Sequence, residues 1–266
     1  MPSAFLHTPY GDVHFRKLGS GQRLLIAFHG FGVDSSVFQC LEPPLQGIFT
    51  IYAIDLPFHG QTRWAGKDFS PEQLEFVIHA ILQQEGKQRF EALGHSLGGR
   101  LWLCLLGRLD GRLDALYLLA PDGLQTRWMG LAERMPLLLR RLAGQLATRP
   151  DRGLALARGL QQRGLIDGFV IRYLVHHLGD NHRRNRLLYT WYALSNFPLN
   201  AVKARKYLSA SQAATLVLLG KRDQVIPAVA LRAVLEGMKH VRIREVDANH
   251  QTICQLVAPF LVEGLS

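Results

Sequence analysis

The sequence predicts an α/β fold: a mostly parallel central sheet flanked by helices, interrupted once by a helical insertion. Three observations carry this prediction. Short apolar runs alternate with helix-like stretches along most of the chain, the pattern of repeated strand–helix units. The runs are continuous in Leu, Ile, Val and Ala rather than alternating with polar residues, which marks strands covered on both faces. Between about residues 124 and 207 the alternation stops and no strand-like run occurs.

In chain order, "AFLHTPYGDVHFRKLG" reads as an antiparallel hairpin at a sheet edge. The strand candidates are then 23–30, 49–57, 90–96, 114–123, 213–223 and 241–250. Helical stretches fall at 71–86, 97–109 and 227–238. The segment without strands reads as several helices, "LAERMPLLLRRLAGQLA", "GLALARGLQQRG", "GFVIRYLVHHLG" and "RRNRLLYTWYALSN". In the first, Leu131, Met135, Leu138, Leu142 and Leu146 share one helix face. The expected organisation is a core made of residues 1–123 and 208–266, with residues 124–207 as a helical cap over the sheet.

Composition narrows the class. The chain has 266 residues, 48% of them hydrophobic and 20% charged, ordinary values for a globular protein with a sizeable core. No run of 18 uncharged apolar residues occurs, and "MPSAFLHTPYGDVHF" lacks a basic start followed by an apolar block. A cytoplasmic protein is the expectation. Cys40, Cys104 and Cys254 are far apart and odd in number, without disulfide or metal-ligand spacing, so reduced thiols are expected.

The chemistry centres on "GHSLGG" (94–99). A serine hydroxyl becomes a useful nucleophile when it is exposed at a sharp turn, beside a base, with backbone N–H groups aimed at the developing oxyanion. Gly94 and Gly98 flank Ser96 in a strand–turn–helix elbow, where a Cβ would have no room. The pattern alone arises by chance in about one chain in ten of this composition, so context decides. A buried strand precedes the serine and a helix follows. Asp223 and His250 then come after later strands, in the order that the elbow demands. Asp122, after the fourth strand, is a second candidate for the acid. Asp223 also suits the cap of the helix that follows it. His29 and His95 read as buried near the elbow, with His95 also a candidate to touch substrate. His176, His177 and His182 lack companions at ligand spacing, and no metal or other cofactor is expected. The glycine spacing does not fit a nucleotide site.

Taken together, "FHGFG" (28–32), "IDLPFHGQT" (54–62), "GHSLGG" (94–99), "LLGKRDQVIP" (218–227) and "ANHQT" (248–252) resemble the α/β-hydrolase superfamily, in its capped, esterase- and lipase-like form, over essentially the whole chain. The resemblance implies an α/β-hydrolase fold with Ser96 as nucleophile, His250 as general base and then acid, and Asp223 holding His250 in the productive tautomer. It also implies an oxyanion hole from the backbone N–H groups of Phe31 and Leu97. Many members carry glycine where Phe58 stands. The expected activity is hydrolysis of a carboxylic ester or related acyl bond. "SLGGR" also resembles menaquinone-pathway lyases, where Arg100 would meet a substrate carboxylate. That makes a triad lyase or carbon–carbon hydrolase the alternative enzyme. A salt bridge to a neighbouring helix is the other reading of Arg100, and a non-catalytic ligand receptor is the alternative outside enzymes.

Charge is unevenly placed. The net charge is +10, yet residues 124–207 hold fifteen Lys and Arg against four acids, or +11. The remainder, with sixteen bases and seventeen acids, sums to −1. A basic cap suits an anionic small-molecule substrate, an acyl carrier protein or an anionic membrane surface. Nucleic acid is a poor partner for a lid over a nucleophile.

Overall fold

The apolar runs fold into nine strands: β1 (Ser3–Thr8), β2 (Gly11–Leu18), β3 (Arg23–Phe28), β4 (Phe49–Ile54), β5 (Arg63–Trp64), β6 (Phe90–His95), β7 (Leu113–Leu119), β8 (Ala214–Gly220) and β9 (Val241–Val246). The computed structural model describes residues 3–109, 111–124, 150–166 and 168–264. The sheet order is β1-β2-β4-β3-β6-β7-β8-β9, with β5 paired to β2. β1 and β2 form the expected antiparallel hairpin, and β2 joins β4 antiparallel. Every pair from β4 to β9 is parallel. β4 and β6 are buried at every position, as continuous apolar strands in the middle of a covered sheet should be. β9, "VRIREV", is mostly exposed and places Arg242, Arg244 and Glu245 along the sheet edge, where charge discourages pairing with another chain.

The six runs read from sequence overshoot the strands at their C-terminal ends by one to four residues. The overshoots after β3, β4, β6 and β7 are loops of buried residues, those after β8 and β9 are more exposed, and these loops carry the candidate site. Among the described residues the helices are α1 (Glu42–Leu45), α2 (Pro71–Gln84), α3 (Leu97–Leu105), α4 (Pro150–Gln162), α5 (Gly168–Leu178), α6 (Asn181–Ala193), α7 (Ala201–Ala210), α8 (Ala228–Leu235) and α9 (Ala258–Glu263). α2 starts where its sequence says it should. Ser70 Oγ accepts from the Gln73 N–H, the Gln73 side chain accepts from the Ser70 N–H, and Pro71 occupies the first turn. α3 is buried almost throughout. Trp102 stacks on Phe28 at 4.3 Å and donates its indole N–H to the Leu93 carbonyl at 3.0 Å.

α4, α5 and α6 pack in sequence on one another. α7 packs on α3 through the buried Ala204 and Leu208, and the boundary expected at 207 falls inside it. The expected helix carrying Leu131 to Leu146 lies outside the described residues. Among the described residues no helix is long and apolar enough to cross a membrane.

From β3 the chain crosses to β4 on one side and returns to β6 on the other. The loops leaving the C-terminal ends of β3 and β6 therefore diverge, and that is where an open parallel sheet offers a crevice.

Candidate active site

Ser96 occupies the turn between β6 and α3 with φ +50° and ψ −112°, outside the regions that non-glycine residues favour. The packing forces it there. A Cβ on Gly94 would lie 2.6 Å from the Gly99 nitrogen, and one on Gly98 would lie 2.0 Å from the Phe28 carbonyl oxygen. Both contacts are too short for any side chain, so only glycine lets α3 sit this close to β3 and β6. The Ser96 N–H donates to the Leu119 carbonyl at 2.9 Å, and its own carbonyl accepts from Asp122 and Arg100. The strain of the elbow is thus held by backbone bonds on every side. Leu97 opens α3, and the helix itself offers no acceptor to an N–H in its first turn.

His250 follows β9. Its Nδ1 lies 2.7 Å from Asp223 Oδ2. A carboxylate accepts only, so Nδ1 carries the proton and Nε2 keeps its lone pair. The other Asp223 oxygen accepts the backbone N–H groups of Val225 and Ile226, each at 2.8 Å. Asp223 therefore both caps the turn and holds the histidine. Burial would raise its pKa, but the bonds from His250, Ile226 and Val225 outweigh that and hold it below the ordinary aspartate value. The His250 loop has its own lock, in which Asn249 Oδ1 accepts the N–H groups of Gln251 and Thr252. Asn249 and Thr252 were legible as an Asx-type turn in "ANHQT".

Asp122, the other candidate acid, is buried elsewhere, with Oδ2 3.4 Å from Arg100 Nη1. Arg100 is fully buried. It donates to the Phe197 carbonyl from Nε and Nη2, at 3.2 and 2.9 Å. Its guanidinium ties the elbow helix to the post-β7 loop and to the turn before α7.

The segment after β3 is shaped by two further residues. His29 donates from Nδ1 to the Gly30 carbonyl and accepts the Leu56 N–H at Nε2. Asp55 accepts from Ser35, Gln61 and His14, each at 2.7 Å. These bonds overcome its burial and keep it below the ordinary carboxylate range. Helices α5 and α6 reach this loop directly. The Phe31 ring meets His177 of α5 at 5.2 Å and His59 at 5.5 Å, and the Arg186 guanidinium of α6 lies 5.9 Å from the ring centre. Burial pushes His177 down to about 4. Sequence reasoning missed His59, His177 and Arg186, because nothing in their local spacing links α5 and α6 to residue 31.

Phe58 has φ +68°. Glycine suits that backbone, whereas a bulky residue there costs about 1–3 kcal/mol. The Phe58 ring contacts Phe69 at 6.1 Å and Tyr189 of α6 at 5.2 Å, a join that glycine could not make.

His29, His59 and His95 are each at least 95% buried. Burial, the largest cause, lowers the pKa of all three, that of His95 to about 3. They take up protons less readily in the folded chain than in the unfolded chain, which binds them below about 6.5. Stability should therefore fall as pH drops from 6.5 toward 5, approaching about 1.4 kcal/mol per pH unit for each histidine that stays neutral. Urea midpoints between pH 7 and 5 measure this; a flat profile would contradict it.

A family model described as "alpha/beta hydrolase fold" matches residues 23–253. The chain is 33% identical over 88 residues to a pimeloyl-[acyl-carrier protein] methyl ester esterase from Klebsiella pneumoniae, covering 33% of this chain and 32% of that protein. It is 29% identical over 113 residues to the dihydrolipoyllysine-residue acetyltransferase component of the acetoin cleaving system from Cupriavidus necator, covering 42% and 30%. The matches span about a third of the length of these relatives. Among solved structures, a thermophilic esterase from Thermogutta terrifontis aligns over all of both chains with a TM-score of 0.71 at 17% identity, a likeness of fold.

Proposed function

From the premise that the chain belongs to the alpha/beta-hydrolase family, we propose that it is a serine hydrolase that cleaves carboxylic esters or related acyl bonds. The observation that carries the reading is the 2.7 Å bond from His250 to Asp223, set beside a serine in a strained elbow. In this reading His250 Nε2 takes the Ser96 proton as Oγ attacks the substrate carbonyl. The N–H groups of Phe31 and Leu97 bind the oxyanion, and the leaving group departs with the proton from His250. Water activated by His250 then releases the acyl group from Ser96. In this reading residues 1–123 and 208–266 make the core and the insertion at 124–207 caps the acyl pocket, with α7, which spans the second boundary, packed on the core. With Arg100 engaged inside the fold, the lyase reading loses its feature.

The substrate is a small or medium acyl ester, drawn in by the basic cap in a cytoplasmic setting. The likeness to an esterase acting on a carrier-bound ester supports an acyl carrier protein as the anionic partner. Arg152, Arg158, Arg163 and Arg172 are exposed on or beside α4 and α5, available to such a partner. Attraction between exposed charges is screened over about 8 Å at physiological salt. Accordingly kcat/KM for a methyl ester of acyl-carrier protein should fall about tenfold between about 20 and 300 mM salt. For a neutral p-nitrophenyl ester it should hardly change. Arg158→Glu, Arg163→Glu and Arg172→Glu together should remove the difference. Equal salt responses for both substrates would reduce the cap charge to a solvated surface, and no turnover of any ester would overturn the hydrolase reading.

A further inference from the structure

His95 is the residue before Ser96 and the last of β6, in the centre of the sheet. Its Nε2 lies 2.8 Å from the carbonyl oxygen of His250. A carbonyl can only accept, so Nε2 bears the proton and Nδ1 is the bare nitrogen. The two imidazole rings lie 4.8 Å apart, inclined at 44°. On the far side the ring presses on the oxyanion loop, since a Cβ on Gly30 would come within 3.0 Å of Nδ1. Nδ1 has no hydrogen-bond partner among the described residues.

We propose that His95 is a positioning residue for the proposed reaction, fixing the distance between the Ser96 nucleophile and the His250 base by holding the His250 backbone carbonyl to the strand that carries the serine. The inference rests on the serine-hydrolase reading. His250 stands in a loop after an edge strand, with little sheet around it. Asp223 fixes its side chain from the loop after β8. The Asn249 turn shapes that loop from within but ties it to no strand. His95 supplies the hold from β6 itself, one residue from the nucleophile, so that base and serine share a common reference.

A histidine suits the task. It is a rigid donor that reaches across from a strand end. Burial, and next to it the neighbouring His250, keep it neutral down to about pH 3. It therefore adds no charge beside the imidazolium that forms on His250. A lysine or arginine would repel that imidazolium, and a residue without a donor would leave the His250 carbonyl unanchored. The expectation that His95 touches substrate is replaced by this role, since its one donor is already used.

The test compares His95→Phe, which keeps a flat ring without the donor, with His95→Asn, which is too short to reach, and His95→Gln, whose amide nitrogen sits near the Nε2 position. Displacement of a catalytic group by about 1 Å costs about 100-fold. Turnover of p-nitrophenyl butyrate by the Phe and Asn variants should fall by about that factor in kcat, with KM within about twofold, and the Gln variant should recover to within about fivefold of wild type. A merely structural residue would not give this split and rescue at unchanged circular dichroism. If the Phe variant does not fold, the Asn–Gln pair, one methylene apart, decides alone. Ser96→Ala is measured alongside. If it loses turnover while the Phe and Asn variants keep wild-type kcat, or while Gln is as impaired as Asn, the positioning role is overturned and the hydrolase reading stands. If Ser96→Ala keeps turnover, both fall.

Discussion

Ser96→Ala is expected to lower turnover of a reactive ester about 10⁶-fold and to abolish stoichiometric labelling by a fluorophosphonate. The oxygen it removes is the only atom of the residue that the proposed chemistry uses. The rest of Ser96 is held through its backbone, by the N–H to Leu119 and by the carbonyl to Asp122 and Arg100. Alanine keeps those bonds and the same Cβ in the elbow. The melting temperature should therefore stay close to that of wild type while reactivity vanishes. A variant that still labels at one site per chain would place the nucleophile elsewhere.

Asp223→Asn is expected to cost about 10⁴-fold in kcat, and the structure gives the reason in detail. One Asp223 oxygen accepts two backbone N–H groups. In the asparagine variant the side-chain carbonyl must take that place, which turns the NH₂ group toward His250 Nδ1. Two donors would then face each other. The imidazole escapes by moving its proton to Nε2, and in that tautomer it cannot accept the serine proton. Asp122→Asn should instead leave kcat within about tenfold of wild type and lower the melting temperature, because Asp122 faces the buried Arg100. If the two variants exchanged behaviours in a steady-state assay with parallel melting curves, Asp122 would be the acid.

Much of this was legible in the sequence because covered parallel strands write themselves as unbroken apolar runs. The hairpin, the sheet class and the elbow all followed from that and from the glycines around Ser96. Strand ends were overread because residues such as Leu56 and Ala120 are fully buried in loops rather than strands, and periodicity cannot separate the two. Arg100 was open between two readings. Its spacing from Ser96 puts it one turn along α3, but only the packed fold shows the Phe197 carbonyl waiting for it. Cys40 and Cys254, far apart along the chain, come close in the fold, the Cys40 thiol 3.6 Å from the Cys254 carbonyl, since the segments after β3 and after β9 pack together. Contacts of α5 and α6 with Phe31 and Phe58 join residues more than a hundred positions apart, and one sequence holds no local sign of such meetings.

The bond between His95 and His250 spans 155 residues of chain, and β9 pairs only with β8, in parallel register. Loop closure over 155 residues must precede the contact that rewards it, which makes the meeting of His95 and His250 slow to form. A chain that has recovered its helices and central strands, but has not yet docked β9, carries the strained serine and lacks the histidine beside it. Secondary structure in such a population would look nearly native while the proposed nucleophile had no base. On the proposed mechanism, reaction at Ser96 would therefore count molecules in which the last strand has found its place, a measure of folding stricter than any average over backbone signals.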